Sequence, residues 1–159
     1  MTSDPARAAV VTTHSPRATL ALGRRIGADL RASETVALIG PLGSGKTVLA
    51  RGMALGAGAT GYIASPSFVV IREYEGPIRI FHIDLYRLER REEIADLGLD
   101  ELIDGAGIVI VEWADRAPWV LPADHLRVAC ALGSQPSDRV FTMTIPGSMR
   151  ARLDKAVRG

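Results

Sequence analysis

The sequence predicts an α/β protein of three layers, helices packed on both faces of a mixed sheet, and three observations carry that reading. The apolar run Thr35 to Ile39 leads directly into a glycine-rich loop and then a helical pattern, a strand–loop–helix unit. Phe68 to Tyr74 and Pro77 to Ile83 read as strands joined by a turn at Glu75-Gly76-Pro77, so part of the sheet is an antiparallel hairpin. Gly107 to Val111 is short and wholly apolar, the signature of a strand buried on both faces.

Taken in order, Ala8 to Thr13 is a short β-like run. At His14-Ser15-Pro16 a helix begins: the serine hydroxyl suits the N-cap, and proline at the first helical position lacks the N–H that would go unpaired there. That helix extends to about Arg31, with Leu20, Ile26 and Leu30 on its buried side. A second helix runs from Lys46 to about Leu55 and is stopped by Gly56, Gly58 and Gly61. Ala64 to Ser67 is a loop before the hairpin. Arg90 to Leu97 is helical with Ile94 and Leu97 inward, and Asp100 to Ile103 adds a helical turn. Two further strands lie near Leu126 to Leu132 and Arg139 to Ile145. The end from Ser148 to Gly159, with Arg150, Arg152, Lys155 and Arg158, is basic and weakly helical; a solvated, partly disordered tail is expected. No repeat, low-complexity stretch or linker interrupts the chain, so residues 1–159 read as one domain.

Composition narrows the function classes. A net charge of +1 gives no reason to expect nucleic-acid binding by charge alone. The longest apolar runs, Phe68 to Ile71 and Ile108 to Val111, fall far short of the roughly 20 residues of a membrane span, and Met1 to Pro5 carries no signal-peptide pattern. Cys130, the one cysteine, lies in an apolar strand and reads as a buried structural thiol; a cytoplasmic protein is expected. Among 19 basic residues only Lys46 and Lys155 are lysines. A lysine retained at position 46 is therefore informative: a compact ammonium fits among phosphate oxygens where a guanidinium fork does not.

That lysine sits in Gly40-Pro41-Leu42-Gly43-Ser44-Gly45-Lys46-Thr47, which meets the pattern G-x-x-x-x-G-K-[ST]. The glycines permit positive φ and close backbone approach, so successive N–H groups can converge on phosphate oxygens. The following helix adds the positive end of its dipole. Lys46 reaches the β- and γ-phosphates, and the Thr47 hydroxyl ligates Mg²⁺. A P-loop NTPase-like fold that binds ATP and Mg²⁺ follows.

Mg²⁺ beside a triphosphate takes a further carboxylate at the end of a neighbouring strand. Two strands end in acids: Ile108 to Val111 runs into Glu112, and Ile80 to Ile83 runs into Asp84. Both would lie at the carboxyl edge of the sheet, where ligands of α/β sheets bind. His82 shares a strand face with Asp84; a hydrogen-bonded structural role and a metal pair are both open, the former favoured. His14 and His125 lack partners at zinc spacing. The Ser65-Pro66-Ser67-Phe68 segment is either a plain turn or a hydroxyl-bearing switch that senses the γ-phosphate.

In order, the loop of residues 40–47, Ser65-Pro66-Ser67-Phe68, His82-Ile83-Asp84-Leu85-Tyr86-Arg87 and Val111-Glu112-Trp113 resemble the bacterial TsaE (YjeE) family of ATPases. The likeness covers roughly residues 12 to 123 and includes Glu92-Glu93 and Leu97-Gly98. It implies a Mg²⁺-dependent accessory ATPase supporting the TsaD–TsaB complex that forms N6-threonylcarbamoyladenosine at position 37 of tRNAs, with tRNA contacted indirectly. Lys46, Asp84 and Glu112 would be catalytic. The loop from Gly40 to Thr47, with Val48 and Ser67, would bind ATP, and the region of Ser15 and Pro16 and that of Arg139 would meet the base. Thr47 and Glu112 would hold Mg²⁺, with Asp84 on the metal shell or on the attacking water. The sequence departs from the family at Pro41, where aspartate is usual, at Val48, where threonine is common, at Ser67, which keeps a hydroxyl but loses a methyl, and at Ala114, a frequent proline.

The alternative is a small-molecule kinase of the P-loop class, for which Arg87, Arg90 and Arg91 would supply a lid over the phosphates. A GTPase is disfavoured, because the guanine-reading N-K-x-D motif needs an asparagine and the chain has none. A nucleotide-bound scaffold without turnover fits poorly with two strand-end acids.

Overall fold

The computed structural model describes residues 6–63 and 70–159. Its seven strands are β1 (Arg7–Thr13), β2 (Thr35–Ile39), β3 (Ile71–Tyr74), β4 (Ile80–Asp84), β5 (Ile108–Glu112), β6 (Leu126–Leu132) and β7 (Arg139–Ile145). They form one sheet in the order β1-β7-β6-β2-β5-β4-β3. The middle is parallel: β2 pairs with β5 and β6, and β4 with β5. Both margins are antiparallel, β3 on β4 at one side and β7 on β6, then β1 on β7, at the other. The expected hairpin is present, with β4 beginning three residues later than its apolar pattern suggests.

The helices are α1 (Pro16–Asp29), α2 (Lys46–Gly56), α3 (Arg91–Ala95), α4 (Leu99–Ile103) and α5 (Gly147–Arg158). Strand alternation divides the core in two. Val36, Leu38, Ile108, Ile110, Val128 and Phe141 meet α1, α2 and α5 on one face. Ala37, Ile83, Val109 and Val111 meet α3, α4 and two short 3₁₀ turns, 114–116 and 118–120, on the other. This is the three-layer α/β arrangement the sequence predicts.

Local chemistry explains the helices next to the loop. Ser15 Oγ accepts from the Ala18 N–H at 3.0 Å and Pro16 occupies the first turn, as the sequence indicates. The α1–α2 pair relies on glycine for close approach: a Cβ at Gly27 would lie 2.0 Å from the Met53 carbonyl oxygen, and one at Gly52 would lie 2.4 Å from that of Leu20. Any side chain there would push α2, and the loop that feeds it, off the sheet.

The C-terminal end differs from expectation. It is a 12-residue helix, α5, that buries Met149, Leu153, Ala156 and Val157. Arg152 pairs with Glu34, and Arg25 Nε donates to the Ala156 carbonyl at 3.0 Å. These apolar residues, spaced at i, i+4, i+7 and i+8 in a helix rich in arginine, form a continuous stripe, and burial of that stripe outweighs the solvation of the charges on its other side. Among the described residues, no helix is long and apolar enough to cross a membrane.

Candidate functional site

Three chain segments meet at the carboxyl edge of the parallel strands: the loop after β2, the end of β4 and the end of β5. The loop is shaped by positive φ at Gly40 (152°), Gly43 (78°) and Gly45 (95°). At Gly40 the requirement is also steric, since a Cβ would sit 2.1 Å from the Cys130 carbonyl oxygen on β6. Gly45 is the left-handed N-cap of α2, so the N–H end of that helix opens on the loop.

Lys46, at the start of α2, is 5% exposed. Its Nζ donates to the carbonyls of Gly40 and Pro41 at 2.6 and 2.8 Å, and stands 4.1 Å from the centre of the Trp113 ring. Burial pulls its pKa below the usual lysine value, while the nearby charges, Glu112 and Asp84 among them, work in the opposite direction.

Glu112 ends β5 and is 1% exposed. Both carboxylate oxygens are engaged: Oε1 accepts from the Thr47 hydroxyl at 2.7 Å, and Oε2 lies 2.6 Å from His82 Nε2. Asp84 is the register partner of Glu112 on β4. Its Oδ1 accepts the Tyr86 N–H at 2.9 Å, and burial, with Glu112 adding to it, raises its carboxyl above the ordinary aspartate value despite that bond. A threonine hydroxyl hydrogen-bonded to a carboxylate, with a second carboxylate on the adjoining strand, is a set of hard oxygen donors that fits Mg²⁺. No group of three or more His, Cys, Asp or Glu side chains able to hold a metal occurs among the described residues. A hydroxyl and two carboxylates suit an ion that takes its remaining ligands from phosphate and water.

Trp113 follows Glu112 with φ 58°, in the left-handed region that costs a bulky residue about 1–3 kcal/mol. Its ring lies 5.0 Å from that of Tyr86, and the Arg116 guanidinium sits 5.3 Å from its centre. Arg116 Nη1 donates to the carbonyls of Tyr86 and Leu88 at 2.5 and 2.8 Å, fixing the turn after Asp84.

Opposite this wall, Arg139 at the start of β7 donates from Nε to the Gly43 carbonyl at 2.7 Å and from Nη1 to the Pro136 carbonyl at 2.8 Å. His14 Nδ1 lies 2.8 Å from Asp138 Oδ1, tying the corner before α1 to the β6–β7 turn. The hydrogen bond from His14, more than any other contact, holds the Asp138 carboxyl below its usual value. Between the two walls is a cavity of about 660 Å³ whose lining includes Pro16, Lys46, Asp84, Glu112, Trp113 and Arg139.

Residues 13–140 match the family model described as threonylcarbamoyl adenosine biosynthesis protein TsaE. The chain belongs to the TsaE family. A protein of Bacillus subtilis (strain 168) named tRNA threonylcarbamoyladenosine biosynthesis protein TsaE is 36% identical over 137 residues, 86% of this chain and 85% of that one. A protein of the same name from Nostoc sp. PCC 7120 is 40% identical over 124 residues, 75% of each chain. The crystal structure of Bacillus subtilis YdiB matches with a TM-score of 0.80 at 26% identity, covering 98% of both chains.

In this TsaE-family chain the structure brings most of the expected residues together. Lys46, Thr47, Val48, Asp84, Glu112, Pro16 and Arg139 all line the one cavity, as do Leu42, Gly43 and Gly45 of the loop. Ser44 is buried beneath it with its Oγ 3.3 Å from Lys46 Nζ, while Gly40 and Pro41 meet that ammonium through their carbonyls. Ser67 lies outside the described residues. His82 is hydrogen-bonded to Glu112, and His125 to the Pro122 carbonyl. Trp113 is half-buried: it packs on the second core and forms part of the cavity wall. Sequence reasoning missed Arg116, Thr19 and Ser137. One more arginine in an arginine-rich chain carries no signal, Thr19 reaches the cavity from the start of α1, and Ser137 does so from the β6–β7 turn.

Proposed function

We propose that this chain is a Mg²⁺-dependent ATPase that supports the TsaD–TsaB threonylcarbamoyl transferase complex, which forms N6-threonylcarbamoyladenosine at position 37 of tRNAs. The observation that carries this reading is the joining of the loop, Lys46, Thr47, Glu112 and Asp84 at one cavity of about 660 Å³ in a chain of the TsaE family. Its relatives' names place those proteins in biosynthesis of this nucleoside.

The loop amides and the α2 N-terminus receive the phosphates, and Lys46 exchanges its two carbonyl partners for phosphate oxygens. Thr47 and Glu112 would hold Mg²⁺, which when bound neutralises phosphate charge as it develops during transfer. Asp84, its carboxyl raised by burial, is suited to accept a proton from the attacking water as ATP and water become ADP and phosphate. Pro16 and Arg139 bracket the far end of the cavity, where the base would lie. The exposed Tyr86 and the Trp113 region flank the acids and offer the face for the partner complex.

The kinase alternative is weakened by its own arginines. Arg90 pairs with Glu93 and Arg91 stacks on Trp119, leaving only Arg87 of the three on the cavity lining. The reconstituted reaction separates the two readings. TsaD and TsaB supplied with tRNA and activated threonylcarbamoyl donor should turn over repeatedly only when this chain and ATP are added, with release of ADP and inorganic phosphate. A phosphorylated metabolite formed in its place would support the kinase and overturn the proposal.

A further inference from the structure

The expected choice for His82 lay between a structural hydrogen bond and a metal pair, and its surroundings assign something more specific. His82 lies in β4 and is 1% exposed. Its Nε2 is 2.6 Å from Glu112 Oε2, and its Nδ1 is buried with no hydrogen-bond partner among the described residues. A carboxylate only accepts, so Nε2 carries the proton and Nδ1 the unused lone pair. Burying an imidazole with one nitrogen unsatisfied is unfavourable, and an apolar residue of similar volume would avoid that penalty. The bond to Glu112 is not needed to hold the strands, because β4 and β5 are already in register through their backbones from Ile80↔Ile108 to Asp84↔Glu112.

What the bond does control is the carboxylate's orientation. Glu112 is pinned at both oxygens, by Thr47 at Oε1 and by His82 at Oε2. When the Thr47 hydroxyl turns to a metal, only His82 remains to hold the carboxylate plane. Lys46, on the loop side of the site, offers it a competing charge.

We propose that His82 is a positioning residue that presents Glu112 Oε1 to the divalent ion, so that its contribution appears in metal affinity rather than in nucleotide binding or fold stability. Outer hydrogen-bond partners of ligating side chains commonly account for 10–100-fold in metal affinity. The inference rests on the reading of Glu112 as a Mg²⁺ ligand.

The test is a titration of Mn²⁺ into the full chain bound to ADP, with free Mn²⁺ followed by electron paramagnetic resonance. Three variants are compared: His82→Leu, His82→Asn and His82→Gln. The glutamine amide nitrogen reaches the place of Nε2, whereas the asparagine amide stops near Nδ1. The expected result is Mn²⁺ affinity weakened about 10-fold or more in His82→Leu and His82→Asn and kept within about 3-fold in His82→Gln, with ADP affinity in EDTA unchanged throughout. Should His82→Leu fail to fold, the Asn and Gln pair carries the same comparison. Unchanged Mn²⁺ affinity in His82→Asn, or a loss in all three variants that tracks their melting temperatures and their metal-free ADP affinity, would overturn the proposal. Wild type that binds ADP without any response to Mn²⁺ would instead remove Glu112 from the metal site, and this inference with it.

Discussion

The two walls of the cavity are built by different means. On the β4–β5 wall, Thr47, Glu112 and His82 bond side chain to side chain in a largely buried chain of hydrogen bonds, at the ends of parallel strands apolar on both faces. On the β6–β7 wall, the groups sit at turns and bond mainly to backbone: the half-buried Arg139 to three carbonyls, with the exposed His14 on the buried Asp138. The first arrangement holds charges in a water-poor setting where their fields are strong and their positions fixed. The second gives shape at low energetic stake. The proposed function assigns chemistry to the first wall and fitting of the ligand's far end to the second.

Several measurements would break or sharpen that contrast. The largest effect concerns the frame the two walls share. Cys130 on β6 lies under Gly40, and burial pushes its thiol from 9.0 up to about 12. A difference of about three units leaves on the order of 1000-fold less thiolate at neutral pH than in the unfolded chain. Because the folded value is the higher one, the thiol favours the native state below pH 9.0 and that contribution is lost as pH rises towards 12. Alkylation by iodoacetamide at pH 8 should be slow in the native protein and fast in denaturant; rapid native labelling would show the second wall's frame to be loose.

On the first wall, Glu112→Ala should lower Mg²⁺-dependent ADP release at least about 100-fold. Near-normal turnover would remove this carboxylate from the chemistry. Lys46→Ala should weaken ATP binding about 10-fold or more by calorimetry, since it deletes a charged donor to phosphate; unchanged affinity would sink the loop's assignment. On the second wall, Arg139→Ala should raise the apparent KM for ATP only about 3-fold and leave kcat alone, in line with a half-buried side chain bonded to backbone at the edge of the site. A fall in kcat as deep as that of Glu112→Ala would erase the distinction between the walls.

The same contrast accounts for what was legible in the sequence. The first wall is written locally: glycines at fixed offsets, a lysine and threonine after them, and an acid ending each of two apolar strands. The parallel middle of the sheet brings those short segments together with little left to chance, so Lys46, Thr47, Asp84 and Glu112 could all be named in advance. The second wall depends on β7 returning antiparallel to β6 and on β1 joining it, and that long-range pairing leaves no motif. Arg139 and Pro16 came from family resemblance, not from physics. The α5 helix was misjudged for a related reason. Its apolar stripe of Met149, Leu153, Ala156 and Val157 is diluted by arginines, and the groove between α1 and the sheet that receives it exists only once the fold has formed. The close α1–α2 crossing was equally hidden, since Gly23, Gly27 and Gly52 look like weak points of a helix until a second backbone is laid against them.

The most direct test of the central claim is nucleoside mass spectrometry of bulk tRNA from cells depleted of this protein. The account predicts loss of N6-threonylcarbamoyladenosine, restored by the wild-type chain but not by Glu112→Ala. Unchanged modification on depletion, or full rescue by Glu112→Ala, would contradict it.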